Sequence, residues 1–231
     1  MATRVTPFHN TTDGGGSGTT QGSNSISVNA GDLICIFVKH EGAPTTISLG
    51  DNKSNTWTSR AKVDHSGGGL SGELFTAVAN GTYADLVVTA TFAASRNWKG
   101  LWFHAYRPTG ASLSFDTVAS AQGTGTAIAT GSLSISTAGG AGVCFVAGDG
   151  GVTYTAGSGW TEQMDSGDYS EDRLTAGSEG TINGQATASG SQNWLAIAMH
   201  LAEPGGTPGG IDPGIIHGSA TIIGNPFYSF G

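Results

Sequence analysis

The sequence predicts an all-β protein of β-sandwich or jelly-roll type, built from an internal duplication and ending in an extended C-terminal arm. Three observations predict this fold. Glycine supplies 39 of the 231 residues and charged residues only 11%, which is typical of short strands joined by polar turns. Apolar and polar residues alternate over short segments, and no segment has a helical period. Several groups of residues also recur in the same order in both halves of the chain.

Alternation is clearest in the segment from residue 85 to 92. Leu86, Val88, Ala90 and Phe92 fall on one face of a strand, and the residues between them fall on the other. Other strands are predicted at 25–28, 32–40, 45–49, 56–63, 72–79 and 98–106. Turn sequences such as Asn80-Gly81 separate them.

The internal repeat is the strongest signal in the sequence. Three groups recur: Ser25-Ile26-Ser27 with Gly31 and Cys35 matches Ser134-Ile135-Ser136 with Gly140 and Cys144; Trp57-Thr58 matches Trp160-Thr161; and Asn97-Trp98 with His104 and Pro108 matches Asn193-Trp194 with His200 and Pro204. The separation falls from 109 to 103 to 96 residues, as expected when the second copy has shorter loops. Strands of the second copy are predicted near 132–136, 141–147, 152–155, 160–164, 173–177, 181–188 and 193–202.

The chain therefore divides into four segments. The repeats are preceded by a short strand at 2–6 and a Gly/Ser/Thr loop at 8–24. The N-terminal segment is assigned to residues 1–21. The first sandwich repeat covers 22–110 and the second covers 111–204. A Gly/Pro linker and a docking arm cover 205–231.

Repeated aromatic, histidine and cysteine side chains are predicted to fill the interior. Trp57, Trp98, Trp160 and Trp194 are expected to plug the ends of the cores, with stacking on a ligand as the alternative. His104 and His200 are expected to be satisfied core or interface histidines, with a metal ligand as the alternative. Cys35 and Cys144 lie in apolar strands and are expected to be buried thiols, with a disulfide as the alternative.

The arm after the linker is too short to fold alone but is strongly apolar. Its anchoring residues are predicted to be Ile215, Ile216, Ile222, Ile223, Phe227, Tyr228 and Phe230. An exposed segment of this kind would aggregate, so it is expected to dock as an added strand on a partner, or alternatively on its own chain.

The sequence contains no catalytic motif, no phosphate-binding loop and no cysteine or histidine pattern typical of zinc. The chain is therefore predicted not to be an enzyme and to need no cofactor. One acidic cluster, Asp165, Asp168, Glu171 and Asp172, could offer oxygen ligands to Ca²⁺, with Asp149 as another possible donor. It lacks EF-hand spacing, and a solvated turn is the plainer interpretation; an opposed pair of glycosidase carboxylates is the remaining alternative.

Charge limits the partners. A net charge of −8 with nine Lys and Arg residues leaves no basic stripe for a phosphate backbone or an anionic membrane. The N-terminus lacks the apolar run of a signal peptide, and no stretch approaches the length of a membrane span. The protein is expected to be made in a host cytoplasm without a leader.

The order of several motifs resembles a loosely defined family of β-sandwich proteins. They are Gly31-Asp32-Leu33-Ile34-Cys35, Asp51-Asn52-Lys53-Ser54-Asn55-Thr56-Trp57, Tyr106-Arg107-Pro108, Gly159-Trp160-Thr161 and Asn193-Trp194. Family members occur in bacteriophage virions and as bacterial surface or secreted proteins, and often have Tyr-Ser-Gly where this chain has Tyr106-Arg107-Pro108. The resemblance covers about residues 22–203 and supplies no catalytic residues.

The resemblance implies a non-enzymatic module displayed on a particle or cell surface, and the leading hypothesis is a structural protein on a virion surface. Capsid decoration and a tail or fibre component are the two forms considered, with self-association and other virion proteins as partners. The alternative is a carbohydrate-binding or adhesion module at a phage, bacterial or extracellular surface, recognising a cell-surface glycan. A glycanase or lyase is the remaining alternative.

Overall fold

The computed structural model describes residues 2–12, 15–65, 67, 69–135 and 139–203, and these residues form strands and turns throughout. The all-β prediction is confirmed. None of the described segments is a helix long and apolar enough to cross a bilayer.

The first unit consists of nine strands. They are β1 (Thr3–Thr12), β2 (Gly18–Gly22), β3 (Ile26–Val28), β4 (Leu33–Glu41), β5 (Ile47–Asp51), β6 (Thr58–His65), β7 (Leu70–Val78), β8 (Tyr83–Leu86) and β9 (Val88–Arg107). The second half of β9 belongs to an antiparallel sheet of order β1-β9-β4-β7-β6, while its first half pairs with β2 and β5. Strands β3 and β8 pair separately.

The second unit consists of six strands. They are β10 (Ser114–Ser134), β11 (Gly140–Gly148), β12 (Tyr154–Ala156), β13 (Thr161–Asp165), β14 (Tyr169–Thr175) and β15 (Thr181–Ala202). They form an antiparallel sheet of order β10-β15-β11-β14-β13, and β12 pairs with the first half of β15. The strand order matches that of the first unit, with β9 and β15 each running through two layers.

Three apolar cores separate four β layers. The central core lies between β4, β7 and β9 on one side and β11 and β15 on the other, and contains Phe37, Trp102, Phe145 and Leu195. A first outer core lies within the first unit around Ile36, Phe75 and Phe92, and a second within the second unit around Val146, Trp160 and Trp194. Strands β4 and β11 are buried on both faces, which explains their uninterrupted apolar runs.

Phe37 and Phe145 show how the two units are related. The rings stack at the centre of the interface, with centroids 5.4 Å apart and planes 12° apart. Residues 37 and 145 are 108 positions apart. At the same separation Phe37-Val38 matches Phe145-Val146, and Glu41-Gly42 matches Asp149-Gly150. The structure therefore aligns β4 with β11 one residue away from the alignment that matches Cys35 to Cys144.

A β-bulge in β9 changes the phase of the last strand. Opposite β4, Lys39 pairs with Gly100 but Glu41 pairs with Asn97, so β9 carries one extra residue near Trp98. Between β11 and β15 the register from Gly140 to Gly148 has no such shift. Because side chains alternate along a strand, one inserted residue places everything beyond it on the opposite face.

The polar side of the interface is a directed hydrogen-bond chain. Tyr106 donates its hydroxyl to Asp172 at 3.0 Å, so its oxygen accepts from His104 Nδ1, 3.3 Å away. His104 Nε2 then accepts from the Ser170 hydroxyl at 2.9 Å. Arg4 Nε also donates to Asp172, at 2.6 Å, and the chain links β1 and β9 to β14.

Several predicted boundaries were wrong. Strand β1 extends to Thr12 and β2 occupies Gly18–Gly22, so much of the predicted loop at 8–24 is strand. The strands predicted at 181–188 and 193–202 are one strand, β15, and those at 85–92 and 98–106 are mostly one strand, β9. Most of β10, from Ser114 to Gly131, was missed because its Gly, Ala, Ser and Thr residues resemble a linker. The alternation of Leu86, Val88, Ala90 and Phe92 is confirmed, since all four are buried.

Candidate functional site

A cleft of about 390 Å³ opens where the central strands β4 and β11 end. Both units contribute to it. The first unit provides Lys39, Glu41 and Trp98, and the second provides Asp149 and Asp168 with the glycine-rich turns around them. The cleft therefore lies between the two units.

Glu41 and Asp149 occupy matching positions in the two units and form the walls of the cleft. The Asp149 carboxylate accepts hydrogen bonds from Asn193 N at 3.0 Å and Asn193 Nδ2 at 2.7 Å, which fixes its position at the end of β11. Burial raises the pKa of Glu41, Lys39 opposes the rise, and the charges of Asp168 and Asp149 add to it. The three carboxylates are therefore close enough to influence one another.

Lys39 and Asp168 form the floor as a buried ion pair between the units. Lys39 Nζ lies 3.1 Å from Asp168 Oδ2 and 3.8 Å from Glu41 Oε1. The Asp168 carboxylate also accepts from Gly148 N at 3.0 Å. Burial raises the pKa of Asp168, and Lys39 opposes this rise. Because Asp168 offsets the charge of Lys39, Glu41 and Asp149 give the mouth of the cleft a negative character.

Trp98 stands at the edge of the cleft and is 51% exposed. Its φ of 46° is in the left-handed region, which a bulky residue rarely adopts. The indole packs against Gly15, where an added Cβ would lie 2.9 Å from Trp98 Cζ2. The bulge in β9 thus turns the ring outward, and Gly15 leaves room for it.

The prediction that all four repeated tryptophans plug cores is only partly confirmed. Trp160 and Trp194 are buried in the second outer core, and Trp57 is half-buried against the first, where its Nε1 donates to Asp51 at 2.7 Å. For Trp98 the prediction was wrong, because the bulge points this side chain away from the interior.

His104 and His200 are fully buried and hydrogen-bonded, as predicted. They face different cores: His104 lies in the central interface, whereas His200 bonds Thr175 at 2.9 Å and Asp116 at 2.7 Å. Cys35 and Cys144 are both buried free thiols, which confirms the thiol prediction over the disulfide. Cys35 belongs to the central core and Cys144 to the second outer core.

Three of the four residues of the acidic cluster do not lie in a solvated turn. Asp168, Glu171 and Asp172 are buried. Glu171 accepts from the amides of Gly157 and Gln185, Asp172 bonds Arg4 and Tyr106, and Asp165 accepts from Tyr154 N. The four candidate calcium ligands thus point to different partners, and among the residues that the structure describes no three His, Cys, Asp or Glu side chains are grouped to hold a metal.

The predicted anchoring arm, with its seven apolar residues from Ile215 to Phe230, lies outside the described residues. Comparison with family models, with curated proteins and with solved structures gives no match for this chain.

Sequence reasoning missed the cleft because it aligned identical residues. The recurrence of Phe-Val followed by an acidic residue and glycine, 108 residues apart, could have located Glu41 and Asp149. The bulge that exposes Trp98 has no evident sequence signal.

Proposed function

We propose that this chain is a non-enzymatic structural protein of a bacteriophage-like virion, with two units descended from one duplicated ancestor. In this proposal it assembles by strand addition: the C-terminal arm of one copy pairs with the free edge of β10 in a neighbouring copy. The motif resemblance supports the virion context, and one structural observation carries the mode of assembly.

That observation is the free edge of β10. Among the described strands, β10 forms ladder hydrogen bonds only with β15, so its other side has no strand partner in the described part of the chain. On that side β6 lies nearby, and His65 Nε2 is 3.0 Å from the carbonyl oxygen of Gly123. Asp116 is its single charged residue, and the register from Thr117 to Gly125 runs without a shift. Natural proteins usually protect such an edge with charges, prolines or closely spaced bulges. The stretch from Thr117 to Gly125, which has no register shift and no charged residue, is suited to receive an added strand.

The arm is suited to be that strand. It contains four isoleucines and three aromatic residues within 17 residues, from Ile215 to Gly231. Edge pairing satisfies the backbone of both partners, and the arm's apolar side chains gain burial on the receiving copy.

The test is self-association of the full chain, measured by sedimentation velocity. The full chain should associate, and a chain ending at residue 203 should remain folded but monomeric. Ser120→Lys, at an exposed position of β10, should weaken association at least about tenfold, because a lysine on the edge opposes strand pairing. Thr91→Lys is the matched control, since Thr91 is also exposed but lies on β9 between β2 and β5.

Two results would contradict the proposal. One is a full chain that stays monomeric at about 100 µM. The other is association that persists unchanged after residues 205–231 are removed. In the virion itself, the truncated chain should fail to be incorporated while remaining folded.

A second candidate function, a carbohydrate-binding or adhesion module, is supported by a different observation. The cleft presents an exposed tryptophan beside two carboxylates, which is a suitable arrangement for a polar ligand with an apolar face.

A further inference from the structure

The cleft has the features of a ligand site rather than of an accidental gap. Its volume of about 390 Å³ falls within the range of small-molecule pockets. It combines one large aromatic surface with several polar groups that approach from both units. The bulge that exposes Trp98 also follows a common pattern, since bulges often occur beside functional sites, where they redirect a side chain.

The strained conformation of Trp98 needs a reason. A tryptophan at a φ of 46° is disfavoured, and half of its surface is exposed to water. The second unit avoids both costs, because β15 stays in register with β11 as far as Trp194, which is buried. The first unit thus exposes an aromatic ring that this fold is able to bury.

We infer that the cleft binds an uncharged saccharide, with a pyranose ring stacked on Trp98 and its hydroxyl groups donating hydrogen bonds to Glu41 and Asp149. This inference rests on the second candidate function and is independent of assembly through β10. An indole surface packs well against the aliphatic C–H face of a sugar ring. Carboxylates accept strong hydrogen bonds from hydroxyl groups.

The charges of the cleft select against anionic ligands. Lys39 lies between Asp168 and Glu41, so the cleft has three carboxylates, with Asp149, against one ammonium group. A small organic cation could also lie over Trp98, but it would leave most of the cleft unfilled. A saccharide uses the ring and the carboxylates together.

The test is titration of the full chain with uncharged oligosaccharides of the cello, malto, manno and chito series. Binding is measured by calorimetry and by the fluorescence of Trp98, the most exposed of the five tryptophans. At least one series should bind with a Kd of about 0.1–1 mM. Trp98→Ala should weaken this binding at least about tenfold and Glu41→Gln about fivefold.

Two matched controls separate the site from general surface effects. Val78→Ala removes the other large exposed apolar side chain, which lines a separate groove, and Asp85→Asn removes an exposed carboxylate on β8. Neither should change binding by more than about twofold. Folding of every variant is checked by circular dichroism.

The outcomes distinguish the site from the function. Saccharide binding that survives Trp98→Ala unchanged overturns the site but leaves the adhesion function standing. If no series binds at about 10 mM, both are overturned. Binding of tetramethylammonium at this cleft with no response to any saccharide would identify an organic-cation site instead, and would also overturn the inference.

Discussion

The last strand of the first unit carries an exposed tryptophan, Trp98, whereas the last strand of the second unit buries Trp194 in its outer core. Both follow an asparagine, and both strands occupy the same place in sheets of the same strand order. The difference is one inserted residue in β9. It shows that a single bulge can convert a core side chain into a surface one while the sheet around it is retained.

The two tryptophans should therefore differ most in their contribution to stability. Trp194→Ala should lower the free energy of unfolding by about 3–5 kcal/mol, because it empties a buried site in a packed core. Trp98→Ala should lower it by about 0.5 kcal/mol or less, as expected of an exposed position. Urea unfolding, followed by far-ultraviolet circular dichroism, measures both losses of unfolding free energy. Equal losses would show that Trp98 and Trp194 contribute alike to stability and would contradict the comparison.

The next largest effect should come from the polar side of the interface. Asp172→Ala leaves the Tyr106 hydroxyl and Arg4 without their shared acceptor, and should cost about 3 kcal/mol in unfolding free energy. Asp85→Ala removes the exposed partner of Lys53 and should cost less than about 1 kcal/mol. If the two losses measured by denaturant unfolding are similar, the buried chain does not hold the units together.

The smallest effect concerns the two matched histidines and pH. Burial lowers the pKa of His104 to about 3, from 6.5. Below pH 6.5 the unfolded chain binds a proton at this residue and the folded chain does not, so stability should fall by up to about 1.4 kcal/mol per pH unit as the pH drops toward 3. Burial also lowers the pKa of His200, but Asp116 opposes the shift.

The comparison of His104→Gln with His200→Gln sharpens this prediction. Measured as the slope of unfolding free energy against pH between 4.5 and 6.5, His104→Gln should flatten the slope more than His200→Gln. The slope is the informative quantity, because both substitutions also lower stability at every pH. A slope that is unchanged in His104→Gln would show that this residue is protonated inside the fold.

The sequence predicted the elements whose pattern is set by one buried face. Leu86 to Phe92 alternate because one face packs on a core, and β4 and β11 are apolar throughout because both faces do. The two buried cysteines followed from the same runs. These features depend on local pattern, which a single sequence contains.

Which face of the sheet each matched residue lies on could not be predicted, because it depends on the register between the strands. The sequence comparison matched Cys35 to Cys144 and His104 to His200 because the residues are identical. The separations between these pairs differ by one residue from the separations between matching positions of the strands. A shift of one residue moves a side chain to the opposite face of the sheet. The cleft was missed for the same reason. Glu41 and Asp149 come from strand ends more than a hundred residues apart, and only packing of the two units brings them together.

The directions of the strands place the cleft and the end of the described chain far apart. Glu203 follows β15 and accepts hydrogen bonds from the amides of Thr109 and Gly110, at the end of the sheets where β4 begins. The cleft lies where β4 ends, nine residues away, or roughly 30 Å along an extended strand. If a copy were attached to a larger particle through the segment after Glu203, Trp98 would lie at the end of the molecule farthest from that particle.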